Sequence, residues 1–263
     1  MESSRRRFLK VAGISALGLG ALPVLDWLRQ LEAAAGTFTT HPKALTAKQW
    51  AMVVDVKKLD AETAKKAIEA CHQLHNVPAY DDKKQEIKWL WTDTYEHTFP
   101  GQENPYVPKE LKEKPFLLLC NHCTNPPCVR VCPTKATWKR DDGLVMMDQH
   151  RCIGCRYCMA GCPFGARSFN YKDPPTTYFK DKEPPNPRYP MRGKGVVEKC
   201  TFCADRLAEG LMPACVEAVK ETKALVFGDV EDPNSEVRKL LDSHFTMRRK
   251  TELGTGPNVY YIV

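Results

Sequence analysis

The chain has 263 residues, 39 lysines and arginines against 32 aspartates and glutamates, a net charge of +7, and 43% hydrophobic with 27% charged residues. This is an ordinary globular composition, long enough for one or two domains. The basic excess is spread along the chain apart from one N-terminal run, with no aromatic-interleaved basic stripe, which excludes nucleic-acid binding. Cysteine, at twelve residues, is the unusual component and sets the class.

The chain opens with a charged run, Ser4-Arg5-Arg6-Arg7-Phe8-Leu9-Lys10, followed by an uncharged, Gly-rich stretch over 11–25. Paired arginines before an apolar run mark the twin-arginine export route, so 1–35 reads as a signal segment. Ala33, Ala34 and Ala35 before Gly36 offer a cleavage site. A retained anchor is the alternative, although Asp26 interrupts the run short of the ~20 apolar residues that span a bilayer. No other segment is long and apolar enough to span, so the mature part is expected outside the cytoplasmic membrane. Export would ordinarily favour disulfides, but proteins taking this route fold and load cofactors first, which favours metal.

Over 53–78 the sequence predicts a short strand, a loop, a helix across 60–74 and an Asn-Val-Pro stop. Ala64, Ala67, Ile68, Cys71 and Leu74 share one face of that helix, where Cys71 alone would read as a small buried hydrophobe. The loop carries Lys57, Lys58, Asp60 and Glu62. Residues 80–114, with Trp89 and Trp91, read as connecting structure.

Two dense cysteine runs follow. CNHCTNPPCVRVCP places Cys120, Cys123, Cys128 and Cys132 before Pro133, and CIGCRYCMAGCP places Cys152, Cys155, Cys158 and Cys162 before Pro163. The second is the full C-x2-C-x2-C-x3-C-P run of bacterial ferredoxins, in which three thiolates hold one four-iron cluster and the fourth crosses to another. Gly154 lets backbone approach the sulfurs. The first run differs only by a two-residue insertion. Zinc takes four ligands from two C-x2-C pairs, and two four-cysteine runs each ending in Cys-Pro fit it poorly. The pair closes reciprocally: Cys120, Cys123 and Cys128 take Cys162, while Cys152, Cys155 and Cys158 take Cys132.

GLVMMD, RSFNY and ALVFGDV, starting at 143, 167 and 224, are candidate strands. The proline-rich 173–190 is a loop, and 234–244 a short helix capped by Asn234 or Ser235. Between them Cys200, Cys203 and Cys215 form a ligand run whose fourth position holds Val219. The reciprocal rule links this run to the first segment. The leading three ligands missing there and the last ligand missing here all belong to one cluster, while Cys200, Cys203, Cys215 and Cys71 all belong to another. Twelve cysteines then make three complete sites. The competing reading is a three-ligand 3Fe or labile cluster with Cys71 free.

The expected fold class is α+β, tandem bacterial-ferredoxin-like units with inserted loops and one cluster site lost. Segments 36–114 and 173–263 form an outer one-cluster unit around an inner two-cluster unit over 115–172. From about residue 44 the chain resembles the four-cluster ferredoxin subunits of exported respiratory complexes. CNHCTNPPC, the degenerate first run, the twin-arginine signal and the tail LGTGPNVYYIV are most similar to the DsrO-type subunit linked to dissimilatory sulfite reduction. The resemblance implies three [4Fe–4S] clusters, a polytopic quinone-interacting partner of polysulfide-reductase C type and an exported multihaem cytochrome c. A molybdenum oxidoreductase or hydrogenase complex is the alternative setting.

The function expected is electron conduction, with no small-molecule substrate, since the sequence holds no nucleophile elbow, dinucleotide fingerprint or haem-attachment motif. His122 reads as a surface or hydrogen-bonding side chain, and Arg130, Lys135, Arg151 and Arg156 as solvated flanking charges or potential-raising ones. If conduction is retained, the lost cluster should be a terminal one, because losing an internal one would open a gap.

Overall fold

The computed structural model describes residues 41–102 and 104–263. The signal segment expected over 1–35 and its expected cleavage site lie outside the described residues. No helix among the described residues is long and apolar enough to cross a membrane.

The unit from His41 to Val263 is organised by one four-stranded sheet. Its centre is β1 (Trp50–Asp55), buried at every position. β1 pairs antiparallel with β8 (Leu225–Asp229) and parallel with β10 (Val259–Ile262), which in turn holds the two-residue β9 (Thr246–Met247). A strand buried on both faces reads as a continuous apolar run, and AMVV does so. The segments after β1 and before β8 thus start from adjacent strands, although more than a hundred residues separate them.

α1 (Ala61–Leu74) follows β1 where the periodicity predicts it, with Asp60 as its cap accepting from the Thr63 amide at 2.7 Å. It packs along α7 (Ala214–Ala218), and this contact carries Cys71 to the last ligand run. α8 (Glu236–Ser243) is capped by Ser235 and covers the outer face of β8.

Residues 80–114 are more than connecting structure. β2 (Leu90–Asp93) pairs antiparallel with β3 (Phe116–Leu119), and the short helices α2 (Tyr95–Thr98) and α3 (Lys109–Glu113) lie between them. The reason is Trp89: it is 2% exposed and donates to Glu198 at 2.6 Å, an anchor 109 residues away. The inner runs carry the hairpin β4 (Thr137–Lys139) and β5 (Val145–Met147), and β6 (Ser168–Phe169) pairs with β7 (Val197–Glu198). The expected strands starting at 143, 167 and 224 are all present. Pairs β2–β3 and β6–β7 cross the boundaries at 114 and 172, and one apolar core runs from β1 through β3 to Phe202 and Tyr261. The 173–190 loop has no helix or strand, but its end is anchored: Asn186 bonds the Leu74 carbonyl at 2.8 Å, and Tyr189 meets His75 edge-on.

Candidate metal centres

Each C-x2-C loop turns in the same way. The residue before the second cysteine is left-handed in all three: His122 at φ 40°, Gly154 at 70° and Phe202 at 54°. Such a turn redirects the amides after the first cysteine, and the Phe202 N–H reaches the Cys200 sulfur at 3.4 Å. Only glycine adopts it freely, so His122 and Phe202 hold strain characteristic of functional sites. Gly154 has a second reason to be glycine, since a Cβ there would stand 2.4 Å from the Gly195 carbonyl. Short helices follow the loops: α4 (Pro127–Arg130) carries Cys128, α5 (Tyr157–Ala160) Cys158, and α6 (Ala204–Ala208) starts after Cys203.

The twelve thiols gather in three fours. Cys120, Cys123, Cys128 and Cys162 line one small pocket, here group A. Cys132, Cys152, Cys155 and Cys158 line a second, group B. In group C, burial pushes the Cys71 thiol well up, and the facing sulfurs of Cys200, Cys215 and Cys203 add to it. Cys162 thus stands with the first run, Cys132 with the second, and Cys71 beside the last. Burial likewise pushes Cys123 up to about 12, with Cys120, Cys128 and Cys162 contributing. Cys200 reaches about 12 through burial and then Cys120, so groups A and C are neighbours. Group B lies nearest the surface, with Cys155 exposed and Cys132 and Cys152 half-buried.

Among the described residues no three His, Cys, Asp or Glu converge tightly enough to hold a single metal ion. A thiolate-ligated cluster fits the donor set, and it would keep deprotonated the sulfurs that burial alone holds neutral.

The surroundings are cationic, but through residues that sequence reading missed. Arg130, Lys135, Arg151 and Arg156 are all exposed, with Arg156 folded over the Phe169 and Tyr171 rings. The buried cations are Arg167, Arg192, Lys199 and Arg249. Arg192 meets the Glu198 carboxylate at 2.7 Å, with both side chains buried. Lys199 donates to the carbonyls of Val145 and Cys200. His122 is fully buried and stacks on Phe202 with ring centroids 3.9 Å apart, locking the A and C loops face to face. Burial, then nearby Lys199, holds its pKa well below the usual histidine range. The buried cations have partners that are mostly remote in sequence: Arg167 bonds Thr137 across 30 residues, Lys199 the Val145 carbonyl across 54, Arg192 the His75 carbonyl across 117 and Arg249 the Thr98 carbonyl across 151.

Where a fourth site would fall, the side chains do other work. Asp60 caps α1, Lys58 pairs with Asp55 at 2.9 Å and Lys66 with Glu62 at 2.8 Å. Leu59, Ala64, Ala67 and Val219 are buried in the core there.

A family model described as a 4Fe-4S dicluster domain matches residues 114–178 and again 172–230. The chain is 40% identical over 279 residues to the Hdr-like menaquinol oxidoreductase iron-sulfur subunit 1 of Archaeoglobus fulgidus, covering 98% of this chain and 97% of that one. It is 36% identical to the menaquinone reductase iron-sulfur cluster-binding subunit of Nitratidesulfovibrio vulgaris, over 81% of this chain and 88% of the relative. A tetrathionate reductase subunit of Salmonella typhimurium is 30% identical, over 100% of this chain and 89% of the relative. The first family match holds both inner runs and the second holds Cys200, Cys203 and Cys215, whereas Cys71 precedes both. With a tandem ferredoxin-like α+β fold and relatives matched end to end, the chain belongs to the 4Fe-4S dicluster family of iron–sulfur electron-transfer subunits of oxidoreductase complexes.

Proposed function

We propose that this chain is a non-catalytic electron-transfer subunit with three [4Fe–4S] clusters, held by groups A, B and C. The observation that carries this reading is the gathering of all twelve cysteines into three fours with none left over. Bound there, the clusters supply one-electron conduction; the protein's part is to hold the thiols, exclude water from A and C, and leave B near the surface. Segments 36–114 and 173–263 act as an outer unit around 115–172.

The setting proposed is the DsrO-type one: an exported complex of sulfite-linked sulfur respiration at the outer face of the cytoplasmic membrane. Its support is the twin-arginine run, CNHCTNPPC and the C-terminal tail. A polytopic quinone-interacting partner draws support from two relatives named for menaquinol or menaquinone chemistry. An exported multihaem cytochrome c is the second partner proposed. Service to a terminal reductase with its own active-site metal, a molybdenum oxidoreductase or hydrogenase, is the second reading, favoured by the likeness to the tetrathionate reductase relative; co-purification of such an enzyme would select it.

Iron and acid-labile sulfide in anaerobically purified protein should each be about twelve per chain. Cys71→Ser should lower both to about eight and leave two EPR signals of the reduced protein unchanged. About eight in the parent, or about eleven with an oxidised 3Fe signal, would sink the three-cluster reading.

A further inference from the structure

We propose that Arg167 is the shared counter-cation of groups A and B and raises the reduction potentials of the two clusters they hold. The inference rests on the three-cluster reading above.

Arg167 immediately precedes β6, after the Cys162-Pro163 turn, and is 4% exposed. Its side chain lines the group A pocket beside Cys120 and Cys128. Its Nη1 donates to Thr137 Oγ1 at 3.2 Å and to Met147 Sδ at 3.6 Å. Thr137 and Met147 both line the group B pocket, so one guanidinium touches the walls of both sites. Its Nη2 has no hydrogen-bond partner among the described residues. Cys128 of A, which lines the same pocket as Arg167, packs in one cluster with Cys158 of B.

A buried guanidinium is always charged and costly to leave unpaired. Arg192, the other buried arginine of comparable setting, has Glu198; Arg167 forms no carboxylate pair among the described residues. Lys199 is turned to backbone carbonyls, and Arg249 donates to the Thr98 carbonyl. The partners left for Arg167 are the thiolates themselves. Net charge and hydrogen bonds to the sulfurs set the potential of such clusters, and a fixed cation favours the reduced, more negative form. In the water-poor interior its effect is weakly screened, unlike that of exposed Arg130 or Arg151.

The test is an EPR-monitored redox titration of the full chain, purified anaerobically, with signals assigned through Cys162→Ser, Cys152→Ser and Cys71→Ser. In Arg167→Gln the reduced-to-oxidised ratio of A and B at fixed potential should fall tenfold or more, about 59 mV for a one-electron couple. Cluster C, which Arg167 does not touch, should stay put and serves as the internal control. Full iron content with A and B unmoved overturns the proposal, and so does an equal shift of all three. Should the Gln variant lose iron, Arg167→Lys decides: full iron in the Lys variant shows that the charge is required, and equal loss in both shows that only shape matters, which overturns it. A parent chain with fewer than about twelve iron would instead fault the three-cluster reading.

Discussion

His122 stands where the neighbouring ligand loop has glycine, and what it gains there explains the strain it accepts. The Val145 amide donates to Nδ1 at 2.9 Å, which makes that nitrogen an acceptor. The proton therefore sits on Nε2, which donates to the Cys200 carbonyl at 3.2 Å. A neutral imidazole satisfies both, in keeping with a pKa held down by burial. Replacing it with leucine orphans the buried Val145 amide, worth about 1–3 kcal/mol, while the Cys200 carbonyl keeps the Lys199 ammonium. His122→Leu should accordingly cost about 1–3 kcal/mol in anaerobic denaturant unfolding. A loss under about 0.5 kcal/mol, within the spread of ordinary surface changes, would mean that the bridge between the A and C loops is not structural. Sequence reading reached a hydrogen-bonding His122 but could not name the bridge, because Cys200 lies 78 residues on and nothing local points to it.

At the scale of elements, what depends on neighbours in sequence was legible and what depends on distant anchors was not. α1 follows from one apolar face plus the Asp60 cap, and α8 from Ser235, whose hydroxyl accepts from the Arg238 amide at 3.0 Å and donates to the Asp229 carbonyl. Ser235→Ala should cost about 1 kcal/mol in the same unfolding measurement. Iron content should be unchanged, since α8 covers the sheet face away from the thiols. Iron loss in that variant would mean that α8 supports a ligand loop. The β2–β3 pair was hidden because Trp89 is fixed by Glu198, itself fixed by Arg192. The tail was legible only as a likeness. Its place is physical: the Thr124 and Asn125 amides donate to the carbonyls of Gly256 and Thr255 at 2.8 and 2.9 Å, and Asn258 donates to the His122 carbonyl at 2.8 Å. The C-terminus therefore straps the group A loop before entering the sheet as β10.

Over the whole molecule the three groups run B, A, C, with Arg167 at the first junction and the His122–Phe202 stack at the second. The fourth position, beside group C at the far end of the row, is where the reciprocal rule puts the lost cluster. That rule is counting, so it applies before any fold is known. How the space is closed was not legible, because it depends on Leu59, Ala64, Ala67 and Val219 meeting in the core. Val219 is the one of these standing at a ligand position, and it is 3% exposed. Restoring a cysteine there tests whether the site is truly closed. Val219→Cys supplies one thiol, but Asp60 stays engaged at its cap and Lys58 and Glu62 stay in ion pairs, so no second or third ligand is at hand. The near-isosteric change should cost less than about 1.5 kcal/mol. Iron should remain at about twelve per chain. A rise toward about sixteen would show that the segment after β1 can still wrap a cluster, and that Val219 alone had kept it out.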